Sequence, residues 1–192
     1  MRISRVHICA LALILALPGA AAWAASDAET IALFKKAGQS AGFFRTCYGY
    51  AVFPTIGKGG LVIGAAHGSG HVYEKGRMIG DTSMTQVSVG LQAGGQAYSE
   101  MIFFKDKRAL QEFTSGNFEF SADASAVAIT AGASASAATT GTGAGASGGK
   151  NDAVTAGDYY KGMAIFTIAK GGLMYQAAVA GQKFSYKPSS GS

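Results

Sequence analysis

The sequence predicts an α+β fold. It reads as a strand-rich single domain with an antiparallel sheet or barrel-like core, two pseudo-repeated hairpins, an N-terminal amphipathic helix and a short helix near 106–115. Three observations carry that expectation. One glycine-rich apolar stretch occurs twice, several runs alternate apolar and polar residues with period two, and two helix-capping signatures flank the alternating runs.

The repeat organises the chain. Its first copy is Ala51-Val-Phe-Pro-Thr-Ile-Gly-Lys-Gly-Gly-Leu-Val-Ile-Gly-Ala-Ala66, and its second is Ala164-Ile-Phe-Thr-Ile-Ala-Lys-Gly-Gly-Leu-Met-Tyr-Gln-Ala-Ala178. Aligning Ile56 with Ile168 gives eleven ungapped positions, of which seven are identical. Upstream, the match continues if Pro54 is left out. Each copy reads as two strands joined by a tight turn, because glycine supplies the positive backbone angles such turns demand. Two copies are too few for a solenoid and suit one domain with related halves.

The N-terminus reads as a leader, not as fold. Arg2 and Arg5 form a basic region, residues 8–17 are apolar, and Ala22-Trp-Ala24 supplies small residues for cleavage after Ala24. The apolar run of about ten residues is half of what a membrane span needs. The expectation is a signal peptide over 1–24, export to the periplasm, and a domain over 25–192. Cys9 leaves with the leader, so Cys47 stands alone and the core must hold the fold without a disulfide. Net charge is +5 for the whole chain and +3 once Arg2 and Arg5 are gone. That permits contact with an anionic surface but lacks the dense basic stripe of a nucleic-acid binder.

Ser26-Asp-Ala-Glu29 is a capping box, from which a helix is expected over 26–41, ended by Gly42. The sequence 71–79 reads as a hairpin turning at 74–76, 85–93 and 98–104 as strands, and Asp106 as the cap of a short helix closed by Gly116. Lys107 and Arg108 sit in that helix's first turn, against its dipole, so they are not there to stabilise it. Residues 121–130 alternate weakly and read as a strand of small side chains. Residues 141–150 lack apolar anchors and read as a mobile loop, 182–186 closes the domain, and 187–192 reads as a frayed tail.

No catalytic constellation emerges. Gly143-Ala-Gly-Ala-Ser-Gly148 matches the dinucleotide fingerprint in letters, but no helix-forming run follows it. His67 and His71 lie roughly 13 Å apart if both are in a strand, too far to share a metal ion. The expectation is a non-enzymatic domain with no cofactor and no metal.

Four blocks then converge: residues 50–61, residues 90–100, Gly116-Asn-Phe-Glu-Phe120 with Ala122-Asp-Ala-Ser125, and Lys170-Gly-Gly-Leu173 with Gly181-Gln-Lys-Phe184. In this order they resemble the SYLF domain family. The resemblance implies a lipid-binding module whose eukaryotic members bind anionic lipids, partly through an N-terminal amphipathic helix, and some of which bind actin. For an exported bacterial-type chain the lipid part transfers more readily than the actin part. The expected lipid-binding residues are Phe34, Phe43 and Phe44 entering the interface and Lys35, Lys36 and Arg45 meeting head groups, with the turn lysines Lys58 and Lys170 as secondary candidates. Two plainer readings stand beside these: a helix packed on its own domain, and lysines that only solvate a hairpin tip. The expected partner is anionic phospholipid. The alternative is an envelope structural or protein-interaction module.

Overall fold

The computed structural model describes residues 26–60, 63–89, 95–122, 124, 126–129, 158–170 and 179–190. The proposed leader, the 141–150 loop and the second repeat copy beyond Lys170 lie outside these residues. Eight strands form one mixed sheet in the order β5-β8-β3-β2-β1-β4-β7-β6. They are β1 (Gly49–Gly60), β2 (Ile63–Glu74), β3 (Arg77–Val89), β4 (Gln96–Phe104), β5 (Phe118–Glu119), β6 (Val127–Ile129), β7 (Met163–Lys170) and β8 (Lys183–Pro188). All neighbours run antiparallel except β6 and β7.

The first repeat copy is the expected hairpin: β1 and β2 pair from Gly49↔Glu74 to Gly60↔Gly64. Pro54, the residue left out of the repeat alignment, sits where the register of β1 shifts against both neighbours. Proline cannot donate to a ladder, so within a central strand it belongs at a bulge. The Pro54 carbonyl is not wasted, because Ser99 Oγ donates to it at 2.8 Å. The next hairpin turns on Lys75 and Gly76, both at positive φ, as a two-residue turn between twisted strands requires.

The sheet curls into a half-barrel. β8 is three strands away from β1, roughly 14 Å in a flat sheet. Yet the rings of Phe53 on β1 and Phe184 on β8 lie 5.6 Å apart, and Phe113 touches Phe184 at 5.0 Å. Phe104, Phe113, Phe118, Phe120 and Phe184 fill the concave side with Ile56, Val72, Met84 and Ile102. The helix α4 (Lys107–Phe113), capped by Asp106 as expected, closes this side with Ala109, Leu110 and Phe113.

The concave row of β2 is built from small residues, because the bulged β1 leans over it. A side chain at Gly68 would lie 2.6 Å from Ile56, and one at Gly70 would strike the Val52 carbonyl oxygen and the Phe53 ring. On the convex side, where Gly57 faces outward, nothing stands in the way.

Three expectations need correction. The strand expected over 121–130 is described only as β6, three residues long. The chain past 186 is not frayed at once: Lys187 and Pro188 belong to β8, and Ser189 N–H donates to Ile79 O at 2.9 Å. The N-terminal helix does not run unbroken to Gly42. It divides into α1 (Asp27–Lys36), α2 (Gly38–Ala41) and α3 (Phe43–Thr46). Ala37 is extended, and Ser40 Oγ donates to Phe34 O at 2.6 Å, serving a carbonyl that the helix end leaves open. Gly42 has ordinary helical angles and carries the chain onward.

Gly70→Ala is expected to lower unfolding stability by about 1–3 kcal/mol through overpacking against β1, whereas Gly57→Ala should leave it nearly unchanged. Thermal unfolding followed by circular dichroism compares the two.

Candidate functional site

The three short helices cover the convex face over β1, β4 and β7. Phe34 is completely buried there against Val52, Met101, Phe103, Ala164, Phe166 and Ile168. Phe43 and Phe44 are half-buried. Phe43 packs on Phe103, Tyr159 and Phe166, and Phe44 packs edge-on against Tyr50 and Phe103. The helical cover is therefore joined to the sheet by aromatic contacts, as the plainer reading holds. Phe34 can meet lipid only if α1 leaves the sheet.

The cations of this segment face outward. Lys35, Lys36 and Arg45 are exposed, and Lys35 Nζ lies 5.4 Å from the centre of the Phe44 ring. Lys35 thus stands over Phe44, with Lys36 next to it in α1 and Arg45 next to Phe44 in α3. A cation over an aromatic face is held in place without being neutralised.

Lys58 and Lys170 are not turn residues. Lys58 lies within β1, between Ala66 and Gln96, and only 7% of it is exposed. The repeat pattern hid this, because the alternation of β1 resumes past the bulge with Ile56 and Lys58 on the same side. Lys170 ends β7, and its Nζ donates to Thr55 Oγ1 at 2.6 Å. Burial pulls its ammonium pKa down, opposed by the charge of Glu29. Cys47 is half-buried against the aromatic cluster, and burial pushes its thiol pKa up, away from thiolate chemistry.

The sequence did not reveal what fastens α1. Asp27, in its first turn, accepts from Tyr73 OH at 2.7 Å and lies 2.7 Å from His71 Nδ1. His71 Nε2 is 3.6 Å from Asp81. Residues some 45 positions apart in the chain are involved, and no local pattern announces them. Burial, then the hydrogen bond to Asp27, push the Tyr73 hydroxyl pKa well above its usual range.

A second feature was also illegible. Glu100 is fully buried on the concave side, beside Phe53 and Thr167 in the ladder. Gln182 Nε2 donates to Glu100 Oε2 at 3.1 Å and to Tyr98 OH at 3.3 Å. Burial pushes the Glu100 carboxyl from 4.5 to about 7, with the Gln182 hydrogen bond opposing. Among the described residues no group of three or more His, Cys, Asp or Glu is placed to hold a metal ion, and no helix is long and apolar enough to cross a membrane.

A curled sheet with an aromatic-anchored helical cover and cations facing out has the build of a binding domain. The chain belongs to the Ysc84 (SYLF) family, described as Las17-binding protein actin regulator, which matches over residues 85–190. It is also similar to beta cell expansion factor A of Aeromonas veronii, 28% identical over 161 residues, covering 83% of this chain and 53% of that protein. The chain spans about half the length of that curated relative.

Two measurements probe this description. Asp27→Ala should speed hydrogen exchange in the α1 amides roughly tenfold or more, since the lost contacts are worth about 1–3 kcal/mol; unchanged exchange would mean the aromatic contacts alone hold the helix. For Glu100, the fold favours the protonated form. Its contribution is intact below pH 4.5, declines as pH rises towards about 7, and levels off at a cost of about 3 kcal/mol above that. Glu100→Gln should flatten this part of the stability–pH profile in denaturant titrations between pH 5 and 8.

Proposed function

We propose that this chain is a non-enzymatic peripheral domain that binds anionic phospholipid at a membrane surface. The observation that carries this is the cation-flanked aromatic cover: Lys35 stands over Phe44, with Lys36 and Arg45 exposed beside it. Family membership supports it, since the family is linked to lipid and actin-related binding. In this reading Lys35, Lys36 and Arg45 meet head groups, each contributing about 1 kcal/mol near an anionic surface. The edges of Phe43 and Phe44 enter the interface, and Phe34 follows when α1 lifts. Lys170, tied to Thr55, and Lys58, inside the ladder, lie near the other ends of β7 and β1 and are not among these contacts. With the leader read over 1–24, the membrane is met from the periplasmic side.

A protein-interaction role is the second reading, favoured by the family's description as Las17-binding. In it the domain holds a protein partner, and lipid plays no part.

Co-sedimentation with vesicles separates these readings. Binding is expected to phosphatidylglycerol-containing vesicles and not to pure phosphatidylcholine, and to fall between 50 and 300 mM salt as the Debye length shortens from roughly 14 to 6 Å. Equal binding to both vesicle types at low salt removes the electrostatic part. No binding to either removes the lipid reading.

A further inference from the structure

Four chain segments end side by side at one edge of the half-barrel, and backbone hydrogen bonds hold them in a row. Lys75 N–H donates to Tyr48 O at 3.1 Å, Tyr48 N–H to Phe104 O at 2.8 Å, and Lys105 N–H to Gly162 O at 2.8 Å. Neighbouring segments are therefore about one strand spacing apart, roughly 5 Å. Basic residues gather on this row. The β2–β3 turn brings Lys75 and Arg77, the β4–α4 junction brings Lys105 and Lys107, and the turn before β7 brings Lys161. All five are exposed, and Arg108 joins them, donating to Lys161 O at 3.4 Å.

Tyrosines interleave with these cations. Lys75 Nζ lies 5.2 Å from the centre of the Tyr48 ring, Lys105 Nζ 6.0 Å from that of Tyr159, and Lys161 Nζ 4.9 Å from that of Tyr160. The carboxylates of the row are occupied within the fold instead. Asp106 caps α4 through Ala109 N–H, Glu74 accepts from Tyr48 OH, and Asp158 accepts from Tyr159 N–H. The rim thus carries six cations against these three carboxylates and Glu112, which pairs with Arg108 at 3.0 Å, and keeps a net positive charge. Lys107 and Arg108 stand at a helix N-terminus, where their charge opposes the dipole. Arg108 is offset by its ion pair with Glu112, which leaves Lys107 as the charge that serves nothing within α4.

We infer that this tyrosine–lysine rim is the surface that lies against the anionic membrane and sets the domain's orientation on it. The inference rests on the lipid-binding reading above. A planar array of cations suits a head-group layer, and tyrosine is at home at the boundary between apolar and wet regions. The rim is continuous with the helical cover, since Tyr159, under Lys105, packs against Phe43 at 5.0 Å. The domain therefore stands on end, with its strands pointing at the bilayer and α3 at the contact line.

The test compares two variants of the full chain, both checked for folding by circular dichroism. One carries Lys75→Glu, Lys105→Glu and Lys161→Glu, and the other Lys35→Glu and Lys36→Glu. The probe is phosphatidylglycerol–phosphatidylcholine vesicles at low salt. The rim variant is expected to lose affinity on the order of a hundredfold, three contacts at about fivefold each, and the helix pair distinctly less. Wild-type binding that the rim variant retains overturns the inference and leaves the lipid reading standing. Wild-type protein that ignores these vesicles overturns both. Protein that ignores vesicles yet is retained on an anionic polymer assigns the rim to an acidic macromolecule instead.

Discussion

The contact between Phe53 and Phe184 is the constraint from which the rest of the structure follows. It joins strands that a flat sheet would hold apart, and so it forces the curl. Curling divides the two faces into different chemical worlds. The concave side becomes a closed aromatic core sealed by α4, and along most of β2 it leaves room only for Gly64, Ala66, Gly68 and Gly70 before Val72. The convex side spreads, and needs a cover of short helices in place of a second sheet. The curl also shuts Glu100 and Lys58 into low-dielectric surroundings, where burying an ionised group is costly.

The helical cover and the rim divide the work in a way the aromatic residues explain. Phe34, Phe43 and Phe44 spend their apolar surface largely on Phe103, Phe166 and Tyr50, which gives a helix of ten residues a reason to exist. Helices this short are marginal alone and depend on such packing. The tyrosines of the rim also keep cations over their rings, so Tyr48 and Tyr159 pack on the cores and arrange charge at once.

Much of the fold was legible because it is written locally. The Ser26 and Asp106 caps, the Lys75-Gly76 turn and the alternation of β3 depend on residues a few positions apart. The break at Ala37 was not, because it follows from a Ser40 side chain folding back on Phe34 O. Lys58 misled for a related reason: glycines on both sides look like a turn, while the ladder carries two more residue pairs past it. The candidate site was legible in residue type and illegible in arrangement. That Phe34 is inside, that Asp27 reaches His71 and Tyr73, and that four distant segments share one basic row all arise from pairings across the sheet.

The pairing of β3 with β8 joins Gly80 to Pro188, 108 positions apart in the chain. An N-terminal meander of β1, β2 and β3 can form from near neighbours, but the free edge of β3 is covered only by the last strand to be made. Folds that rely on such distant pairings assemble slowly, and an open strand edge is a template for association with other chains. β8 thus acts as a closure, and a chain without it would present a sticky ribbon to its neighbours.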